Sequence, residues 1–323
     1  MLQKKSLGEV PLGSVAAFPS GAGSARVDAA TNRSQVRTMS AAAGVYDAHF
    51  GLTGRPFALA PDPDAIFWTP AHRRAYSMLE YGIMTQAPIT LITGEVGSGK
   101  TTLLQYLLRS MEDNVRIGLI SNPNGSRSEL LRWVLLSLGQ PADPDETYVD
   151  LFSRFQDFLI EEYAKGMRVV LIFDEAQNLG RKSLEELRMF TNINTGKDIL
   201  LQLVLVGQPE LRDIVDRPDM RQFAQRVASS FHLGMMDRKT VRAYIDHRLK
   251  VVGAKRRIFN DAAVDLVCKA TRGVPRLVNQ LCDLAMVYAF SLDRKRVTES
   301  HVGQVLEDGT LFAVSPRGTW GDQ

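Results

Sequence analysis

The order of apolar and polar positions divides the chain into three stretches. Residues 1–44 hold Ala, Gly, Ser and scattered Arg with no periodic apolar pattern. Such a segment cannot bury enough surface to offset its ordering entropy, so a disordered extension is expected there. Met39, near its end, is a candidate start of translation. From Val45 to about residue 234, short continuous apolar runs alternate with amphipathic ones. "ITLIT" (89–93), "VRIGLI" (115–120), "RVVLIFDEA" (168–176), "ILLQLVLVG" (199–207) and "SSFHLG" (229–234) predict strands. The runs at 168–176 and 199–207 are apolar throughout, as strands buried on both faces are. Helical spacing predicts helices over 71–84, from the glycine loop to about Met111, and over 126–139, 148–166 and 183–193. The proline-punctuated stretch "FALAPDPDAIFWTP" (57–70) reads as an extended lead-in.

Beyond residue 235 the strand signals stop. Four helices are predicted over 237–253, 260–273, 275–291 and 298–309, with Asp237, Asn260 and Thr298 as N-caps and Gly253, Gly273 and Gly309 at the C-terminal ends. Strands alternating with helices, then helices alone, predict a parallel α/β domain (45–234) followed by an all-α domain (235–310) and a flexible tail (311–323). No internal repeat is visible.

Composition narrows this picture little. Apolar residues make up 45% and charged residues 23% of the 323, and 39 Lys and Arg face 36 Asp and Glu. That balance neither demands nor excludes a nucleic-acid partner. No apolar run approaches the roughly 20 residues needed to span a bilayer, and the "QKK" near the start has no apolar run behind it to make a secretory leader. Cys268 and Cys282 lie in helix-like segments and read as small buried hydrophobes, suiting a reducing compartment. The expectation is a soluble cytoplasmic protein.

The chemistry starts at "LITGEVGSGKTTLL" (91–104), where a strand breaks into glycines and resumes as a helix. Gly94, Gly99, Lys100 and Thr101 satisfy G-x-x-x-x-G-K-[ST] in the strand–loop–helix context that this motif needs. Glycines let the loop Gly94, Glu95, Val96, Gly97, Ser98, Gly99 wrap closely. Its N–H groups, and those of Lys100, Thr101 and Thr102 at the helix start, then point at phosphates. Lys100 would neutralise the β- and γ-phosphates, and the Thr101 hydroxyl would hold Mg²⁺. A second motif, "VVLIFDEAQN", delivers Asp174 and Glu175 at the C-terminal end of a buried strand, the ligand edge of an open parallel sheet. Asp174 suits the outer shell of Mg²⁺, and Glu175 can polarise a water for in-line attack. The chemistry read from these residues is ATP hydrolysis.

Three further positions are candidates for reading the γ-phosphate. Gln208 follows a buried strand and could orient the attacking water, or simply be a polar turn residue before Pro209. Arg221 and Arg226 in "RQFAQRVASSF" could reach a neighbouring subunit's nucleotide, or line a solvated helix face. Arg276 in "TRGVPRLVNQL" opens a helix whose start Gly-x-Pro fixes, and could close onto the phosphates.

The P-loop, "FDEAQN", "LVGQPEL", "FAQRV" and "GVPRLVNQLCD", in this order, resemble the AAA+ ATPases of the ExeA/GspA secretion type. The lead-in "YDAHFGLTGRPFALAPDPDAIFWTPAHRRAYSMLEYGI" and "SNPNGSRSELLRWVLLSLG" are similar to the same family, over roughly residues 45–310. "LEYGI…ITGEVGSGKTT" and "LEELRMFTNI" resemble most the branch found beside exosortase and exopolysaccharide-export genes. The resemblance implies a P-loop NTPase (AAA+) sheet sandwiched by helices and followed by a helical lid. It makes Lys100 and Thr101 Walker A, Asp174 and Glu175 Walker B, Gln208 sensor 1, Arg226 the arginine finger in preference to Arg221, and Arg276 sensor 2. It also implies ATP and Mg²⁺, homo-oligomers in the ATP state, and envelope secretion or polysaccharide-export partners. The location implied is cytoplasmic or peripheral at the inner face of the membrane. Longer members carry a transmembrane helix and a peptidoglycan-binding domain after the lid; their pattern is not seen here, which argues against direct cell-wall remodelling. A DNA-binding regulator of the MuB-type class is the alternative, with "KRR" (255–257) and "RKR" (294–296) as candidate phosphate contacts.

Overall fold

The computed structural model describes residues 44–59, 66–121, 123, 127–143 and 145–311. The expected disordered extension up to residue 43, Met39 within it, residues 60–65 of the lead-in and the tail from 312 lie outside the described residues.

Five strands form one parallel sheet in the order β2-β3-β4-β1-β5: β1 (Ile89–Gly94), β2 (Val115–Ser121), β3 (Arg168–Asp174), β4 (Leu201–Gly207) and β5 (Val227–Leu233). β1 therefore lies between β4 and β5, with Ile89 opposite Leu203 and Val227. The order explains the composition of the runs. β1 and β4 are buried at every position and β3 at all but its first, because each has a neighbour on both sides and helices on both faces. The edge strands β2 and β5 mix buried with exposed positions.

Alternate residues of the central strands enter two separate cores. Leu91, Leu171, Phe173, Leu203 and Leu205 face a layer that includes α4 (Arg127–Ser137), α5 (Tyr148–Ala164) and α6 (Gly180–Phe190). Ile92, Val170, Ile172, Val204 and Val206 face α2 (Pro70–Met84) and α3 (Lys100–Ser110). Each fully buried aliphatic side chain contributes about 1.5–3 kcal/mol. Helix α6 begins three residues before the expected 183, because a 3₁₀ turn at Ala176–Leu179 leads directly into it. Two short helices that the apolar pattern does not announce, α7 (Pro209–Val215) and α8 (Arg221–Ala224), occupy the connection to β5.

The C-terminal region is all helical: α9 (Arg238–Val251), α10 (Asp261–Thr271), α11 (Pro275–Ser291) and α12 (Glu299–Glu307). Asp237 accepts from Thr240 N and Asn260 from Ala263 N, as N-caps do, and Thr298 N donates to His301 Nδ1. Gly253, Gly273 and Gly309 each follow their helix by two residues in left-handed conformation, and before Gly273 the residue Arg272 is left-handed as well. Cys282 is fully buried and Cys268 partly so, both as free thiols.

The third core belongs to these helices together with the N-terminal segment. Tyr46 and Phe50 of the one-turn α1 (Asp47–Phe50 and its N-cap), with Leu52 and Phe57, pack among Val241, Ile245, Leu281 and Met286. Arg55 and Tyr46 both bond the Asp283 carboxylate on α11. From residue 44 the described chain thus packs first on the helical region, crosses to the sheet and returns.

Candidate functional site

The loop between β1 and α3 lies at the C-terminal edge of the sheet, and its glycines are dictated by crowding. A Cβ at Gly94 would meet Leu233 O at 2.6 Å. At Gly97 (φ +77°) it would meet Arg276 Cβ at 2.5 Å, and at Gly99 (φ +99°) His72 Nε2 at 2.8 Å. The buried Lys100 ammonium donates to Gly94 O (2.6 Å) and Glu95 O (2.8 Å), so the loop curls around its own cation. Burial pulls the Lys100 pKa below its ordinary value, against the opposing pull of Glu175 and Asp174. Ser98 Oγ is buried without a hydrogen-bond partner. A loop of this shape, with a helix N-terminus behind it, fits a phosphate chain.

His72, on α2, supports the loop. Its Nε2 lies 3.2 Å from Ser98 O and its Nδ1 2.7 Å from Thr69 Oγ1, the N-cap of α2. A neutral ring with the proton on Nε2 satisfies both contacts, and burial lowers its pKa in agreement.

The end of β3 brings two carboxylates to the loop. Asp174 Oδ2 accepts from Thr101 Oγ1 at 3.2 Å and Oδ1 from Glu175 N at 3.0 Å. Burial raises the Asp174 pKa despite these bonds, so a cation beside it would favour the ionised form. Hydroxyl and carboxylate are hard oxygen donors of the kind Mg²⁺ takes, with substrate phosphates completing the shell. Among the described residues no cluster of three His, Cys, Asp or Glu could hold a metal alone.

Glu175 sits in left-handed conformation (φ +56°), uncommon for a non-glycine residue. Its Oε2 accepts from Gln177 Nε2 (2.6 Å) and Gln208 Nε2 (3.0 Å). Burial pushes its pKa up, but those two amides and the Lys100 charge outweigh it and leave the carboxyl below the usual range. Gln208 is the N-cap position of α7. Gln177 was not singled out in the sequence; the adjacent "DEAQN" held it, but only the path of the chain after Glu175 brings its amide back.

A cleft opens from the loop toward the helical region. Arg276, exposed on the first turn of α11, forms part of its wall, and its backbone N donates to Gly97 O at 3.3 Å. The remote end is apolar, lined by Ala58, Leu59, Ile66, Phe67, Met236 and Tyr244. Asn279, whose Oδ1 accepts from Tyr244 Oη at 2.8 Å, also lines it. That end suits a flat base, and none of its residues was predicted from the sequence. The cleft therefore gathers Lys100, Thr101, Glu175 and Arg276, with Asp174 and Gln208 bonded to its members.

Arg226 lies elsewhere. It precedes β5, where Val227 pairs Ile89, the first residue of β1. Its guanidinium bonds Thr191 O and Asn192 Oδ1. With about 3.3 Å per residue, the six-residue β1 separates that edge from Gly94 by more than 15 Å. Arg221 is exposed. Neither arginine reaches the cleft of its own chain.

Residues 83–215 match a family model described as an AAA domain. The chain is 34% identical over 276 residues, 85% of its length, to General secretion pathway protein A of Aeromonas hydrophila, of which it covers 50%. It is 31% identical over 160 residues to the Mu-like prophage FluMu DNA transposition protein B of Haemophilus influenzae, with 50% of each chain covered. The chain thus spans about half the length of the curated relatives it matches. Among solved structures it superposes on Cdc6p of Pyrobaculum aerophilum with a TM-score of 0.60 at 16% identity, covering 80% of this chain and 70% of that one. The fold is that of a P-loop NTPase of the AAA+ kind, a parallel sheet between helices followed by a helical C-terminal region. Likeness to General secretion pathway protein A is shown over 85% of this chain and half of that one, and likeness to the exosortase-associated branch is not shown.

Proposed function

We propose that the cleft binds ATP with Mg²⁺ and hydrolyses it, and that the chain serves as a cytoplasmic motor or switch for an envelope secretion or polysaccharide-export apparatus. The observation that carries the chemical half is the arrangement at the end of β3: Asp174 bonded to the Thr101 hydroxyl, and Glu175 held by two amides on one oxygen only. Thr101 and Asp174 would hold Mg²⁺, which would supply neutralisation of the phosphate charge. Lys100 exchanges loop carbonyls for phosphate oxygens. The P-loop N–H groups orient the phosphate chain, and Gln208 keeps Glu175 turned to the cleft. The Glu175 carboxylate then takes a proton from the attacking water. Arg276 on α11 meets the γ-phosphate from the helical side.

Arg226, remote from its own cleft, is assigned to the cleft of a neighbouring copy, so the active form is a homo-oligomer with nucleotide at subunit interfaces. No helix among the described residues is long and apolar enough to cross a membrane; we place the chain in the cytoplasm or peripherally at the inner membrane face. The partner class rests on the likeness to General secretion pathway protein A over half of that protein.

A second reading, a DNA-dependent regulator, is favoured by one observation. Phe259 and Val297 form a parallel bridge, with Val297 N donating to Ile258 O at 2.8 Å and Asn260 N to Val297 O at 3.1 Å. That bridge brings the exposed, cationic segments 255–257 and 294–296 near each other, with Lys295 bonded to His49 O and Arg257 4.0 Å from Asp246. Likeness to a transposition protein B lends it support. The deciding experiment is ATP turnover by purified protein with and without duplex DNA, beside Glu175→Gln. Turnover that needs Glu175 and ignores DNA supports the first reading. Several-fold stimulation by DNA, lost on charge reversal of Arg256 and Arg257, replaces it with the second. Turnover unaffected by Glu175→Gln defeats the catalytic assignment in both.

A further inference from the structure

Gln177 stands two residues after Glu175, and both ends of its amide are engaged. Nε2 donates to Glu175 Oε2 at 2.6 Å, while Oε1 accepts from Gln208 N at 3.0 Å. One side chain therefore spans from the end of β3 to the end of β4. The room for it is made by Gly207, where a Cβ would sit 2.9 Å from Gln177 Oε1. Gln208 Nε2 then reaches the same Glu175 oxygen at 3.0 Å. Both amides occupy Oε2, and among the described residues no bond to Oε1 is formed. Glu175 needs such holding: its backbone is left-handed, and its side chain is only partly buried.

From this geometry we infer that Gln177 is the positioning residue for Glu175, fixing the carboxylate by Oε2 so that Oε1 faces the cleft as the proton acceptor, and orienting Gln208 through its backbone N–H for the same purpose. The inference rests on the proposed role of Glu175 and adds to it the means of orientation. An amide serves where an ionised carboxylate would not. It donates to a carboxylate and accepts from a backbone N–H at once, and it cannot itself become a competing base.

Three variants test it: Gln177→Met, of similar length without polar atoms; Gln177→Glu, which keeps shape and acceptor but loses the donor; and Glu175→Gln as reference. The expected result for Gln177→Met is a fall in kcat of about tenfold, the worth of one hydrogen bond to a charged group, with KM for ATP within about twofold. Gln177→Glu lowers kcat comparably at the same KM, since it keeps the length and the acceptor but loses the donor. An independent readout is the double variant: adding Gln177→Met to Glu175→Gln lowers the residual turnover no further, because the carboxylate it orients is gone. An unchanged kcat in both Gln177 variants overturns the inference, as does a fall in kcat that is accompanied by a raised KM or is additive with Glu175→Gln, which would make Gln177 a structural support only. Should Gln177→Met fail to fold, the kcat-against-KM split of Gln177→Glu, alone and combined with Glu175→Gln, decides by the same criteria. If Glu175→Gln itself keeps full turnover, the catalytic reading falls first, which separates the two failures.

Discussion

The cleft has two walls of different origin. One is the edge of the sheet, where Gly94 to Thr101, Asp174, Glu175 and Gln208 sit at the ends of β1, β3 and β4. The other joins the N-terminal segment to the helical region, with Leu59, Phe67, Met236, Tyr244 and Arg276. The sheet wall rests on strands buried on both faces, so its groups are held by a rigid layer. The helical wall meets the loop at Arg276, whose N donates to Gly97 O and whose Cβ lies against Gly97, while Met236 N, in the connection after β5, donates to Gly273 O at 3.0 Å just before α11. With a rigid layer on one side and a narrow joint on the other, the role proposed for Arg276 would let nucleotide contact there bias how the helical region sits.

Changes on the sheet wall should act on chemistry and those on the joint on stability or affinity. The largest effect is expected from Lys100→Ala. Removing the cation around which the loop curls should lower kcat/KM for ATP by about 10³-fold or more. Its thermal stability should hold, because a buried charge leaves with it. Loss of folding together with activity would mean that the loop is built by Lys100 and not merely charged by it. Gly273→Ala is the counterpart at the joint. The residue has φ +74°, and a Cβ there would stand 1.9 Å from Met236 O, inside any tolerable contact. Left-handed strain and overpacking together should cost about 3 kcal/mol in denaturant unfolding. A neutral Gly273→Ala would show that the joint yields easily.

The two walls also differ in how far they could be read from the chain. On the sheet wall each group lies at a fixed offset from a strand end. The order of strand, glycines, Lys100 and Thr101, and the pair Asp174–Glu175 after an apolar run, therefore carried most of the geometry. The helical wall depends on contacts between residues far apart in sequence. Phe67 and Tyr244 touch edge to face at 5.7 Å, yet both read as ordinary helix or lead-in residues. Only Arg276 was legible there, because Gly273 and Pro275 fix its helix start. Tyr46, Phe50 and Phe57 are apolar positions without visible period, and nothing local says that they cross to the helical core. The short helices α7 and α8 escaped for a related reason: each is too brief to show a period.

Phe67→Ala sharpens the contrast with an intermediate effect. Phe67 lines the apolar end of the cleft and packs on Tyr244 and His247. If that end holds the base, truncation should raise KM for ATP about tenfold, with kcat within about twofold, since stacking is worth roughly 1–3 kcal/mol. A fall in kcat at constant KM would place the base elsewhere and tie Phe67 to movement of the helical region instead.

The smallest effect concerns His72, which holds the loop of the sheet wall from α2. Burial holds its pKa below the ordinary histidine value, so the unfolded chain binds a proton that the folded chain excludes. Between those two values the unfolded state carries more protons, and stability therefore rises with pH and is lost as pH falls. The penalty begins when the unfolded histidine starts to protonate, near pH 6.5, and stops growing once the folded ring protonates too. His72→Gln keeps an amide for Ser98 O or Thr69 but cannot titrate. Its melting temperature should drop less than the wild type's between pH 7.5 and pH 5.5, by about 2–4 °C for each kcal/mol removed. Other groups that titrate over this interval act equally in both proteins and cancel in the difference. Identical pH dependence in the two would mean that His72 takes its proton without leaving the loop. The imidazolium would then be donating to both Ser98 O and Thr69 Oγ1, and the ring would support the loop in either charge state.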